Sequence, residues 1–387
     1  MSMLQLAITP RDVLFCRDAR PMLGSTIGEG GTWPLPGKFH SALLACLYQK
    51  LGIIPVKGKP VRRLQSLRTA GPFPTYRGEI CFPVPSDLVP GGKLYPAENR
   101  GSNNLPKPLC KVLNSTAAPS KEKLGEWITA AELERYAREG ADNVQTIPSS
   151  ELFSRELRPG IGIDPQTRST NSGQFYLAEY LRLREDNQVG MAAFAELNDD
   201  LLEQFFSQKS TIDFCFGGQR CIASMKAIRD HRRSPWPPLN PASGAETTMV
   251  KWVLLSPALF NNGFLPDWVD RQDGQVKLRN GDIPRRTGES RDEWRERLQA
   301  LPPIKARLVA AKVDKPLVMS GWKLTGGTEV SAGIPRATRL LVPAGSVYYF
   351  DCEDCAAAAA LHKALHGRSM SGQRGEQGFG IGITVNV

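Results

Sequence analysis

Large apolar residues at positions 4, 6 and 8 (Leu4, Leu6, Ile8) alternate with Gln5 and Ala7, which predicts a strand that ends at Pro10. A second short apolar stretch, Val13-Leu14-Phe15, leads into Arg17-Asp18-Ala19-Arg20-Pro21 and a glycine-rich loop over residues 24–31. From residue 38 to 50 the spacing becomes helical, with Phe39, Leu43, Cys46 and Leu47 on one face. Strand, loop and helix open a βαβ-type or ferredoxin-like unit. Residues 55–120 are dense in Pro, Gly and basic side chains and predict long loops with short strands. A helix carrying Trp127, Ala131, Leu133 and Tyr136 is expected within residues 122–138.

Residues 157–184 pattern as a long hairpin. Gly160-Ile161-Gly162-Ile163-Asp164 is a short strand and residues 165–173 are polar. Residues 174–184 then alternate, with Phe175, Leu177, Leu181 and Leu183 on one face and Tyr176, Tyr180, Arg182 and Arg184 on the other. Its tip, Thr167-Arg168-Ser169-Thr170-Asn171, combines hydroxyls, charge and reach; it fits a contact to a single-stranded backbone and a solvated turn equally well. Another strand pair is expected around Phe216-Gly217-Gly218-Gln219-Arg220, and residues 229–246, basic and then Pro-rich, predict a linker. Beyond it come strands at 250–255, 304–313, 317–322, 339–342 and 346–350, a charged mobile insertion over 270–303, an Ala-rich helix over 355–365 and a closing strand. Each half opens with an apolar strand and a Pro-terminated loop. This predicts two similar α+β domains, residues 1–245 and 246–387.

Composition narrows the class. At roughly 150 residues per domain, 387 residues make two to three domains with cores of their own. The 36 glycines and 30 prolines indicate many loops without reaching low complexity. A net charge of +10 suits a polyanionic partner, either nucleic acid or an anionic membrane surface. No apolar run is long enough to span a membrane and the start has no secretory pattern, so the eight cysteines are expected as reduced thiols in the cytoplasm.

The clearest candidate for chemistry is the C-terminal segment in which Gly372, Gly375, Gly378, Gly380 and Gly382 stand with Arg368, Arg374 and Phe379. Glycines let backbone amides converge on phosphate oxygens, arginines add charge, and an aromatic ring can stack a base. The same pattern also fits a plain tight connection before an edge strand. His40, just after Gly37-Lys38, could take a 2′-OH proton, but no acidic partner stands near it in sequence. Cys352, Cys355, His362 and His366 are metal-ligand types. Only six residues separate the Cys pair from the His pair, about half a finger's spacing, which favours a packed helix over zinc. No phosphate-loop or His-Glu-x-x-His motif occurs, and no cofactor is expected.

Taken in order, several motifs resemble one family. They are Pro10-Arg11-Asp12, Arg17 to Pro21, Trp33-Pro34-Leu35-Pro36, Gly160 to Asp164 with Thr167 and Tyr176, Phe216-Gly217-Gly218, Leu254 to Ala258, Ser320-Gly321-Trp322, Val342 to Phe350, and Gly378-Phe379-Gly380-Ile381-Gly382. Together they resemble the RAMP-superfamily subunit of the type III-B CRISPR effector, the Cmr complex, that binds the 5′ tag of the crRNA. The resemblance implies two ferredoxin-like (RRM-like) domains with long insertions, and a non-catalytic role. It implies as partners the crRNA, the large polymerase-like subunit and the backbone RAMP subunits, with no membrane. The RNA-binding positions expected are Arg17, Arg20, Lys38, His40, Arg168, Arg374, Gly378, Phe379 and Gly380. The alternative is a metal-independent crRNA-processing endoribonuclease of the same superfamily using His40.

Overall fold

The computed structural model describes residues 2–17, 27–28, 32–54, 61–101, 104–140, 143–164, 166–197, 200–207, 211–228, 234–237, 247–281, 283, 286, 289–323 and 334–387. Arg20 lies outside them, as does most of the stretch read as a linker.

The first half contributes β1 (Ser2–Pro10), α1 (Pro36–Lys50), β2 (Arg68–Tyr76), β3 (Phe153–Ile163), β4 (Thr170–Leu183), β5 (Gly190–Glu196), α2 (Leu201–Ser207) and β6 (Ile222–Ala227). The second half contributes β7 (Met249–Leu254), α3 (Arg291–Gln299), β8 (Ala306–Lys312), β9 (Val347–Cys352), α4 (Cys355–Leu365) and β10 (Gly382–Asn386). It is a mixed fold of antiparallel sheets with few helices. The core of a nine-stranded sheet has the order β2-β5-β1-β6. Numbered along the chain these strands stand 2-3-1-4, with α1 after the first and α2 after the third. A four-stranded sheet, β8-β9-β7-β10, repeats the same order with α4 after its third strand. In place of a first helix it has the segment 256–305, which contains α3.

The alternation within each strand sorts the core into layers. Leu6 and Ile8 of β1 and Met191, Ala193 and Ala195 of β5 face α1 and α2, against Phe39, Leu43, Leu47, Leu201 and Phe205. On the other face of that sheet, Phe73 and Phe194 meet Val253, Val309, Tyr349, Ile383 and Val385 of the second sheet. The far side of the second sheet presents Val250, Trp252, Tyr348 and Phe350 to Leu361 and Leu365 of α4. The order is helices, sheet, sheet, helix, and the two halves share the middle apolar layer. Burying each such side chain contributes about 1.5–3 kcal/mol.

One charge pair lies in that middle layer. Asp87 is fully buried and accepts from Lys251 Nζ (3.0 Å), Tyr136 Oη (2.6 Å) and Tyr349 Oη (2.9 Å). Burial pulls the Lys251 ammonium below its usual pKa and the Asp87 carboxylate opposes it. Every oxygen of Asp87 has a donor, which is the condition for tolerating a buried charge.

Several expectations need correcting. Residues 55–120, read as loops and short strands, supply the nine-residue β2 at the heart of the large sheet. Gly71 and Pro72 disguise it; they sit where the register with β5 shifts between Ala192 and Phe194, so the missing ladder donor falls at a bulge. The helix expected over 122–138 is Ala130–Glu139, started by Thr129 accepting from the Glu132 amide and preceded by the strand Trp127–Thr129. In the stretch read as a linker, Trp236 is 6% exposed, packs tilted against Phe194 with ring centroids 4.4 Å apart, and donates from Nε1 to the Gly367 carbonyl at 3.1 Å. The insertion 270–303 holds the helix α3, started by a capping box between Ser290 and Glu293. The Ala-rich helix spans Cys355–Leu365 as expected. His366 lies beyond its end, where Nδ1 accepts from the Thr384 amide at 3.3 Å, so it does not share the helix face of Cys355 and His362. Burial raises the Cys352 thiol to about 12. Among the described residues no group of His, Cys, Asp and Glu side chains is placed to hold a metal ion, and no helix is long and apolar enough to cross a membrane.

Candidate nucleic-acid interface

Three elements converge: the N-terminus of α1, the first residues of β2 and the glycine-rich segment 369–380. Pro36 starts α1 with no donor to satisfy, and Gly37 follows it. A Cβ on Gly37 would stand 2.9 Å from Gln377 Oε1 and 3.4 Å from the Phe379 ring. One on Gly378 would stand 2.6 Å from the Thr69 carbonyl oxygen, and Gly378 has φ of 90°. These glycines are there because backbone and ring approach too closely for a side chain.

The amides of the segment have internal partners. Gly378 N–H donates to the Gly375 carbonyl at 3.0 Å and Gly380 N–H to the Pro257 carbonyl at 2.8 Å. Ser371 Oγ donates to Gln373 O (2.7 Å) and accepts from the Leu259 amide (2.9 Å), and Ser369 Oγ donates to the Phe379 carbonyl. The expectation that Gly378 and Gly380 cradle a phosphate with their amides is therefore corrected: in this arrangement both are already engaged. Phe379 needs the same correction. Its ring is fully buried among Leu35, Leu259, Met319 and Leu341, with no face open to a base.

His40 stands on the first turns of α1, 8% exposed, with Nδ1 3.1 Å from Thr69 Oγ1. Burial holds its imidazole below the usual pKa, against the opposing pull of the Glu376 carboxylate. Lys38 is exposed on the same turn. Its charge acts on the thiol of Cys16, which burial nonetheless raises to about 12. Cys16 precedes the half-buried Arg17. Arg374 is half-buried in a left-handed conformation (φ 58°), with a guanidinium nitrogen 3.9 Å from Met319 Sδ. The structure thus gathers Lys38, His40, Arg374, Gly378, Phe379 and Gly380; Arg17 follows Cys16, whose thiol feels the Lys38 charge.

Arg168 is elsewhere, at the tip of the β3–β4 hairpin. Asp164 organises the tip, its carboxylate accepting from the amides of Gln166 (2.7 Å) and Thr167 (3.1 Å), and these bonds lower its pKa. The base of the hairpin is held to the body by a ring of four charges. Asp12 pairs with Arg158 (2.9 Å) and Arg182 (2.8 Å), and Glu156 pairs with the same two arginines at 2.7 Å each. The basic face read from Arg182 is neutralised there; exposed charge is left at the tip.

A cleft of about 1310 Å³ opens beside the glycine-rich segment, lined in part by Arg68, Lys277, Arg279, Lys363, Arg368, Trp294 and Glu376. Sequence reasoning missed it. Its residues come from β2, the stretch before α3, α3 itself, α4 and the residues after it, and no local motif joins them.

Paired antiparallel sheets of repeated strand order are joined by a glycine-rich segment near the end of the chain. Residues 6–387 match the family model CRISPR-associated protein (Cas_Cmr3). The chain belongs to that family, and with it to the subunits of type III CRISPR effectors. No curated protein matches it. Among solved structures it is similar to a chain of the type III-B Cmr-beta complex bound to cognate target RNA and AMPPnP, at 14% identity and TM-score 0.44, over 89% of this chain and 86% of that one. It is similar to a chain of that complex bound to cognate target RNA at 15% identity and TM-score 0.43, with the same coverage. A chain of the Csm3-Csm4 subcomplex of a type III-A CRISPR-Cas interference complex matches at 10% identity and TM-score 0.38, over 90% and 94% of the two chains. The assignment rests on the family match and not on these likenesses.

Proposed function

We propose that this chain is a non-catalytic RNA-holding subunit of a type III CRISPR ribonucleoprotein. In this reading it grips the 5′ tag of the guide RNA and joins the large polymerase-like subunit to the backbone subunits, in the cytoplasm. The observation that carries it is the junction of α1, β2 and the glycine-rich segment in a chain of this family. The packed segment is a rigid floor, and Lys38, Arg17 and Arg374 supply charge around it for the phosphates. A splayed tag would be read by its base edges, as single-stranded RNA generally is. Arg168 at the hairpin tip makes a second, separate contact. The repeated 2-3-1-4 strand order supports two ferredoxin-like units divided near residue 245.

His40 supports the non-catalytic side of the reading. A general base must reach the proton that it takes, and His40 is buried with one ring nitrogen bonded to Thr69. Purified protein incubated with labelled guide RNA in EDTA, with and without the natural 5′ end, tests both sides. The expected result is a tag-dependent shift on a native gel with RNA intact on a denaturing gel. Shortened RNA, abolished by His40→Ala, establishes the endoribonuclease instead.

A further inference from the structure

The cleft beside the glycine-rich segment has a charge pattern that packing does not require. Five cations line it: Arg68 at the start of β2, Lys277 and Arg279 before α3, Lys363 near the end of α4, and Arg368. Among the described residues, the carboxylate of Glu376 is the one acidic group of the lining. Two of the cations are tied to the protein, Lys277 to Asp270 at 3.1 Å and Arg279 to the Leu301 carbonyl at 3.3 Å. Arg68 and Lys363 are exposed and have no hydrogen-bond or ion-pair partner among the described residues. The outer wall is α3. Its Trp294 is half-exposed and oriented by a 2.8 Å bond from Nε1 to the Ile283 carbonyl.

We propose that this cleft is a channel for single-stranded RNA, which takes the strand where it leaves the glycine-rich segment and holds it by its phosphates without reading sequence. The inference rests on the reading of the chain as an RNA-holding subunit and extends it. A basic groove with an aromatic platform is how single strands are bound without sequence preference. Repeated phosphates can satisfy cations spread over several elements at once. The insertion containing α3 then has a role: it closes the channel, and the stretch expected to be a mobile excursion becomes a wall.

The test compares the full wild-type chain with Arg68→Ala/Lys363→Ala across a salt series. One guide RNA is long enough to pass the segment; a second is a short tag oligonucleotide. Both side chains are exposed, so the thermal unfolding midpoint is expected to stay put. For the long RNA the log-log salt slope should become shallower by about 1.4, at ~0.7 per lost single-strand phosphate contact. The short oligonucleotide should bind both proteins alike. Lys363→Glu, which puts a carboxylate in the channel, should weaken the long RNA more than Lys363→Ala. An unchanged slope on a wild-type chain that binds RNA overturns the channel alone. No RNA binding by the wild-type chain overturns the functional reading and the channel together.

Discussion

The glycine-rich segment and the hairpin tip are both candidates for RNA contact, and they are built on opposite principles. The segment is packed: Gly378 lies against Thr69, Phe379 is fully buried, and the amides of Gly378 and Gly380 bond internally. The tip projects roughly 30 Å along two strands and carries an exposed Arg168, on a turn shaped by Asp164 and by the Thr167–Ser169 hydroxyl pair. Glycines near a binding site therefore need not touch the ligand. Here they let two halves of the chain close on each other, and under the proposed function it is the cations around them that meet the phosphates. At the hairpin the packing is at the base, in the Asp12–Glu156–Arg158–Arg182 ring, and the tip is free to reach.

The sharpest way to break this contrast is Phe379→Ala. A fully buried ring removed from among Leu35, Leu259, Met319 and Leu341 should cost about 3–5 kcal/mol of stability. The salt slope of RNA binding by the folded protein should not change. Thermal unfolding and RNA titration of one preparation check both. Weaker binding without lost stability would mean that the ring leaves the core to stack a base. Gly378→Ala comes next. With φ at 90° and a Cβ 2.6 Å from the Thr69 oxygen, it should destabilise by about 1–3 kcal/mol. A neutral result would show that the segment can move off β2, and that its packing is not what holds the floor.

A smaller effect is expected from pH. His40 is held below its usual pKa by burial. The unfolded chain takes up a proton near pH ~6.5 and the folded chain only at lower pH. Stability is thus full above that value and declines as pH falls from it toward the folded pKa. His40→Gln should flatten the stability profile below pH ~6.5, as read by thermal unfolding across buffers. A nuclear magnetic resonance titration giving His40 a pKa at or above the free value would contradict its burial.

The contrast also explains what could be read in advance. Residues 4–8, the helix after Pro36 and the 355–365 helix carry clean periods and came out as expected. The hairpin was legible because its alternation is long. β2 was not, since Gly71, Pro72 and Pro74 read as breakers until the bulge against β5 is known. An aromatic ring after a glycine has no pattern to say whether it faces ligand or core, so Phe379 was misplaced. Trp236 was hidden for the opposite reason: its neighbours, Phe73 and Phe194, are distant in sequence. The cleft was invisible because its cations lie on segments that only the fold brings together.

Arg168→Ala is the mildest change and sharpens the contrast most cleanly. The side chain is exposed, and the contact nearest to it, from its own amide to the Asp164 carbonyl at 2.8 Å, survives truncation. Stability should stay within about ±0.5 kcal/mol, as for an ordinary surface substitution. If the tip reaches the RNA backbone, the log-log salt slope should fall by about 0.7, one single-strand phosphate contact. Affinity should drop alike for every sequence tested, because a phosphate contact carries no base information. An unchanged slope would remove the tip from the interface and leave RNA binding to the packed glycine-rich segment. A drop that depends on sequence would mean that Arg168 reads a base edge, giving the projecting hairpin the discriminating role and the glycine-rich floor the merely supporting one.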